Sequence, residues 1–293
     1  MRYCQLIQRA QETLIKAGFD SNTAIQDCND ILRYCLKISQ VEFITKKNEE
    51  VKPTNEIIFN SAITDRLQHK PIQYITHNAV FFGYNFFVNE DCLIPRVDSE
   101  ILVEQAVEYV KKNVEKLKNK TIKILDACCG SGCLGLTFAK ELEKLNMHYE
   151  LVLLDKSTSA IQVSKINSQK LEIKSKLLVS DVLLNGLGFE KYDIIFCNPP
   201  YIETDIIKTL EVEVKDFEPH LALDGGRDGL TFYKTISKTL KNNFTTNGIA
   251  FFEIGYNQGE SVRNIFTFNG FNVEIVKDYG KQDRCAVIYL DVK

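Results

Sequence analysis

The chain has 293 residues, of which 44% are hydrophobic and 26% charged, and its formal net charge is −3. Such a composition suits a globular protein with a buried core, and the slight acid excess argues against one that grips long nucleic acid mainly through phosphates. No apolar run reaches the ~18 residues of a membrane span, and the start, MRYCQLIQRAQETLIKAGFD, has no signal-peptide apolar region.

Residues 1–75 are expected to form a small helical domain. Tyr3, Leu6, Ile7, Ala10, Leu14 and Ala17 recur at helical spacing, and Gly18 stops that helix. Ser21 is expected to cap a second helix, with Ala24, Ile25, Cys28, Ile31, Leu32, Cys35 and Leu36 on one face. After Pro53, NEIIFNSAITDRLQH continues the helical pattern up to Pro71. Residues 76–95 carry AVFFGYNFFVNED, an aromatic-rich β-hairpin that links two domains. Residues 96–293 form the second domain. It opens with the amphipathic helix SEILVEQAVEYVKKNVEKL.

From Thr121 strand and helix alternate. The strand candidates are TIKILDA, YELVLLD, SKLLVSD, YDIIFCN and GIAFFEIG; CLGLTFAKELEKL, STSAIQVSKINSQKL and DGLTFYKTISKTLKNNF are the helices between them. Their apolar character predicts an α/β fold with a mostly parallel sheet covered on both faces. FNVEIVKDYG and RCAVIYLDVK, joined by a short polar link, predict an antiparallel pair at the sheet edge.

Two loops carry chemistry. TIKILDA runs into Asp126-Ala127-Cys128-Cys129-Gly130-Ser131-Gly132 before a helix begins. A loop there is where open α/β sheets bind ligands, and glycine allows close approach to the backbone. Taken singly, this loop is also compatible with a tight turn, and each later acid with a helix cap. The next strand ends in Asp155, suited to both hydroxyls of a ribose, and the third in Asp181, suited to an adenine amine. The set suits an adenosine cofactor. The chain has nine cysteines at irregular spacing, which read as reduced cytoplasmic thiols. Those at 128, 129 and 133 complete no metal-ligand set and fit as small packing groups.

The second loop is Asn198-Pro199-Pro200-Tyr201, directly after YDIIFC. The prolines lack N–H donors, and Asn198 before a proline is pushed to an extended backbone. The Asn198 side-chain oxygen and the Pro199 carbonyl can then converge on one –NH2 group, with Tyr201 as a flat platform. An amide or aryl nitrogen held this way can turn its lone pair toward a cationic methyl donor at the glycine loop.

This combination resembles S-adenosylmethionine-dependent methyltransferases, and more closely the family of peptide chain release factor glutamine N5-methyltransferases. The resemblance rests on PIQYIT (71–76), FFGYNFFV (81–88), LIPRVDSE (93–100), ILDACCGSGC (124–133), NPPYI (198–202), EPHLALDGGRDGLTFYKTI (218–236) and EIGYNQGESV (253–262). It implies a seven-stranded Rossmann-like methyltransferase sheet behind a helical bundle. It implies methyl transfer from S-adenosyl-L-methionine, leaving S-adenosyl-L-homocysteine, to the glutamine of the Gly-Gly-Gln motif of class I release factors. It further implies that the helical domain and hairpin help dock the substrate; a cytoplasmic monomer without nucleic-acid or membrane partners is expected. Cofactor residues would be Asp126, Cys128, Gly130, Gly132, Asp155, Asp181 and Asn198, and catalytic residues Asn198, Pro199, Pro200 and Tyr201. The family usually has glycine where Cys128 stands, and a proline where Val97 stands. Gly225, Gly226, Asp228 and Gly229 are expected to shape a turn and cap the next helix. Glu100 reads either as a first-turn helix acid or as a group near the site.

Overall fold

The computed structural model describes residues 1–290, and the chain divides into two compact units. The smaller comprises Met1–Asn78 together with Val212–Phe217. Its main helices are Tyr3–Lys16, Ser21–Leu36, Gln40–Lys46, Pro53–Leu67 and Ile72–Thr76. Leu6, Ile7, Ala10 and Leu14 lie one turn apart on a single face and pack with Cys28, Ile31, Leu32 and Phe59. The cap of the second helix is Asp20 rather than Ser21. The Asp20 backbone is extended and its carboxylate accepts the N–H groups of Asn22 and Thr23, which leaves Ser21 as the first helical residue. A carboxylate also complements the positive end of the helix dipole. Val212–Phe217 falls inside the 96–293 range read from sequence, yet it clusters with the helices. Glu213 explains this, because the buried Arg66 donates to both Asp27 (2.5 Å) and Glu213 (2.7 Å).

The larger unit begins with a hairpin of β1 (Ala79–Phe81) and β2 (Tyr84–Phe86), paired antiparallel. Phe82 and Gly83 at its tip have φ of 52° and 77°. Two positive φ values in a two-residue loop match the twist of the flanking strands. The strained Phe82 position is held by Glu100, whose Oε1 accepts the Phe82 N–H at 2.6 Å. Glu100 thus serves the hairpin.

The main sheet contains β3 (Ile122–Ala127), β4 (Tyr149–Asp155), β5 (Ser175–Val179), β6 (Tyr192–Cys197), β7 (Phe244–Glu253), β8 (Asn272–Lys277) and β9 (Asp283–Tyr289). Its seven strands run in the order β5-β4-β3-β6-β7-β9-β8. The first five are parallel, and β9 pairs antiparallel with both β7 and β8. Period-2 alternation divides the core. Ile122, Ile124, Leu151, Leu153, Ile194 and Phe196 pack on one face, against the helices Glu100–Lys112 and Cys133–Lys144. Leu125, Ala127, Val152, Leu154, Ile195 and Cys197 pack on the other, against Thr231–Ile236 and Gly259–Phe268. Strands buried on both faces read as continuous apolar runs, which is why they stand out in the sequence. The long helix expected over DGLTFYKTISKTLKNNF is shorter, and β7 already starts at Phe244. Asn243 accounts for the early turn into the strand: its Nδ2 donates to the carbonyls of Gly188 and Glu190.

Candidate active site

Strand order reverses between β3 and β6, since β4 lies on one side of β3 and β6 on the other. A crevice opens at the carboxyl ends of strands at such a point. The two sequence loops flank it, and their strands end in register, with Ala127 opposite Cys197. The cavity there is lined by Cys128, Gly130, Asp155, Asp181, Asn198 and Pro200, with Pro95, Arg96 and Ser99 on one wall and Pro219, Leu221 and Ala222 on another. Asp126, Gly132, Pro199 and Tyr201 adjoin it without lining it.

The glycine loop is tied to Asp155. Its Oδ2 accepts the Gly130 N–H (2.9 Å) and its Oδ1 the Ser157 N–H (2.8 Å). Both oxygens keep a lone pair for a ligand hydroxyl, and burial raises this carboxyl above its ordinary range. Gly130 has φ +53°, and a Cβ there would meet no protein atom within 4 Å. It would stand in the cavity, so glycine leaves room for a ligand. Asp181 caps the short helix Val182–Asn185 through the Leu183 N–H (2.9 Å) and pairs with Lys156 (2.9 Å). Acids after two neighbouring strands, open space over Gly130 and an apolar wall together fit an adenosine cofactor such as S-adenosylmethionine.

Cys128 adopts φ 57°, a left-handed conformation that costs a non-glycine residue about 1 kcal/mol or more. Contact with the Cys197 thiol and burial push its thiol well above the ordinary range. Burial does the same to Cys129. Neutral thiols are poor nucleophiles, so both act by filling space.

Asp126 lies underneath the loop. It is fully buried, and its Oδ2 accepts the Gly135 N–H at 2.9 Å. A Cβ on Gly135 would stand 2.9 Å from the Asp126 Cβ. Glycine therefore lets the helix press onto the strand, and Asp126 ties the first turn of that helix to the strand. Burial pushes its carboxyl up to about 8 from 3.8. Between those values the folded chain binds more protons than the unfolded chain, so stability falls as pH rises through the window and levels off above it. The slope is at most about 1.4 kcal/mol per pH unit for one group. Thermal melts from about pH 5 to about pH 8 should show Asp126→Asn losing less stability than the parent. Asp155 and Glu253, also raised by burial, leave the variant some slope. Equal slopes would mean that Asp126 is ionised in the fold.

Asn198 and Pro199 present acceptors. Among the described residues none donates a hydrogen bond to the Asn198 side chain or the Pro199 carbonyl. Tyr201, next along, is gripped on several sides. Its Oη donates to Glu253 Oε1 (3.1 Å), and its carbonyl accepts from Gln258 Nε2 (2.9 Å). Beyond it, Ile202 exchanges backbone bonds with Leu223 (3.0 Å) and Gly225 (2.8 Å). A Cβ on Gly225 would lie 2.7 Å from Tyr201 Cα, and one on Gly229 2.4 Å from the Tyr201 carbonyl oxygen. The glycines expected to shape a turn therefore also wrap the corner. Arg96 and Glu218, from the two facing walls, form an ion pair. Glu253 and Gln258 were not among the expected site residues. The signal that marks Glu253 is an acid closing the apolar run IAFFE.

No helix among the described residues is long and apolar enough to cross a membrane. The chain matches the Methyltransferase small domain family over residues 101–217 and the PrmC N-terminal domain family over residues 5–76. It is 38% identical over 267 residues to the release factor glutamine methyltransferase of Clostridium acetobutylicum, covering 90% of each chain. It is 33% identical to that of Thermodesulfovibrio yellowstonii, covering 96% of this chain and 97% of the relative. The hMettl16 catalytic domain, solved in complex with MAT2A 3'UTR hairpin 6, shares the fold at a TM-score of 0.52 and 15% identity over 82% of each chain. With both domain families matched and such relatives aligned over nearly their whole length, the chain belongs to the release factor glutamine methyltransferase family.

Proposed function

We infer that the protein methylates the side-chain nitrogen of the glutamine in the Gly-Gly-Gln motif of class I peptide chain release factors. The observation that carries this reading is Asn198 on the wall of the cavity that holds Asp155 and Gly130, with the Pro199 carbonyl next to it along the chain and neither acceptor taking a bond from the described protein.

S-adenosylmethionine supplies an electrophilic methyl group on a sulfonium. Gly130 and Asp155 would hold its ribose side and Asp181 its adenine, with Cys128 and Gly132 shaping the loop. Asp126 ties the helix after that loop to its strand. The glutamine amide is planar, and its nitrogen lone pair is delocalised into the carbonyl. The Asn198 side-chain oxygen and the Pro199 carbonyl each take one N–H. Pro200 stiffens the corner, and the Tyr201 ring gives the amide a flat surface. The nitrogen is thereby fixed with its lone pair turned toward the methyl group. Transfer would form the C–N bond as the C–S bond breaks, with one N–H proton then released to solvent. No strong base is required beforehand, because the nitrogen becomes acidic only once it is alkylated. Orientation of this kind can remove several kcal/mol of barrier.

The net charge of −3 supports a protein partner over a nucleic acid, and we propose that the enzyme works as a cytoplasmic monomer. The test is incubation with labelled S-adenosylmethionine and either a class I release factor or bulk RNA and DNA. Label should enter the release factor and vanish when its Gly-Gly-Gln glutamine is replaced. Label confined to nucleic acid would overturn the reading, and label persisting on the altered release factor would move the target residue.

A further inference from the structure

The segment after β7 brackets Tyr201 from two directions. Glu253 is 1% exposed and takes the Tyr201 hydroxyl on Oε1 (3.1 Å), while its own carbonyl accepts from the buried Tyr233 hydroxyl (2.7 Å). Five residues on, Gln258 is 8% exposed and uses its whole amide: Oε1 accepts the Gly255 N–H (2.9 Å), and Nε2 donates to the carbonyls of Tyr201 (2.9 Å) and Gly229 (3.3 Å). A carboxyl at the end of a buried strand costs several kcal/mol of desolvation that an apolar side chain would not. Packing alone gives no reason for an acid there. The bond to Tyr201 gives one, beside Ser99 and the Arg284 charge, which also favour the carboxylate. Prolines fix φ, so few free torsions separate the Asn198 and Pro199 oxygens from the point where Tyr201 is pinned.

Resting on the function above, we propose that Glu253 and Gln258 are positioning residues for methyl transfer, acting through Tyr201: Glu253 fixes its ring by the hydroxyl and Gln258 its backbone by the carbonyl. Neither lines the cavity, so their removal acts on turnover and spares cofactor affinity.

The experiment is a double-mutant cycle on the full chain with a release factor as substrate, reading kcat, KM for S-adenosylmethionine and melting temperature. Glu253→Ala is expected to lower kcat about tenfold or more while KM for the cofactor stays within about twofold. Glu253→Gln, which keeps an acceptor oxygen, should recover most of that loss. In a Tyr201→Phe background Glu253→Ala should add little, because the bond is already gone. Should Glu253→Ala fail to fold, Glu253→Met fills the space without an acceptor of comparable strength and takes its place in the cycle. Losses that simply add, or a Gln variant as slow as the Ala one, would overturn the role of Glu253. Gln258→Leu with unchanged kcat would overturn that of Gln258. A parent protein that labels no release factor would instead sink the function on which the inference rests.

Discussion

Replacing Asn198 with alanine is expected to slow methyl transfer at least about a hundredfold while changing cofactor affinity by less than about threefold. Two N–H bonds need two acceptors to fix the plane, and Asn198 and Pro199 supply one each. Without the Asn198 oxygen one N–H is free, the amide swings about the remaining bond, and the fraction of time its lone pair faces the methyl group falls. Misplacement of about 1 Å costs on the order of a hundredfold in such near-attack arrangements. Cofactor binding survives because Asp155 and Gly130, joined by their 2.9 Å bond, are anchored on β3 and β4 independently of the corner. Asn198→Asp keeps an acceptor oxygen and should fall between parent and alanine. Single-turnover rates alongside equilibrium cofactor binding separate the two effects. Equal losses in both would place Asn198 in the cofactor's grip and away from the amide.

Much of this site is local in sequence, and that part is legible without a structure. The strands of the parallel sheet are apolar on both faces, so each appears as a run, and cavity-lining residues stand at or just after each run's end. Asp155, Asp181 and Asn198 follow that rule. Asp126 does not line the cavity, although it stands one residue from the end of its strand. The structure ties its carboxylate to the Gly135 N–H beneath the loop, a contact set by how close the helix packs. Glu213 is the same kind of case: its bond to Arg66 spans 147 positions, and no periodicity announces it. Glu253 and Gln258 stand in EIGYNQGESV, which carries part of the resemblance but whose pattern predicts only a strand end. Their importance lies in what they touch, namely a tyrosine more than fifty residues earlier. The motif 218–236 is likewise opaque when read alone. Its glycines suggest a turn, while the reason for glycine at 225 and 229 is the closeness of the Tyr201 backbone.

That closeness sets up the other large effect. Gly225→Ala is expected to reduce kcat about a hundredfold or more and to lower stability by about 1–3 kcal/mol. The added Cβ would lie 2.7 Å from Tyr201 Cα, 2.8 Å from its carbonyl carbon and 2.9 Å from the Pro200 oxygen. All three are backbone atoms, so no rotamer change relieves the contact. The two segments are also held together by the bonds Gly225 N–H to Ile202 O (2.8 Å) and Ile202 N–H to Leu223 O (3.0 Å). The chain must therefore break that pairing or push the corner away, and with two prolines in it the corner moves as one piece. Asn198 and Pro199 would shift together, so the amide loses both acceptors' alignment at once. Cofactor KM should hold, since the glycine loop belongs to β3. Melting temperature and circular dichroism establish that the variant folds, and its kcat then decides. A folded Gly225→Ala enzyme with parental turnover would show that the reaction does not depend on where the proline corner sits.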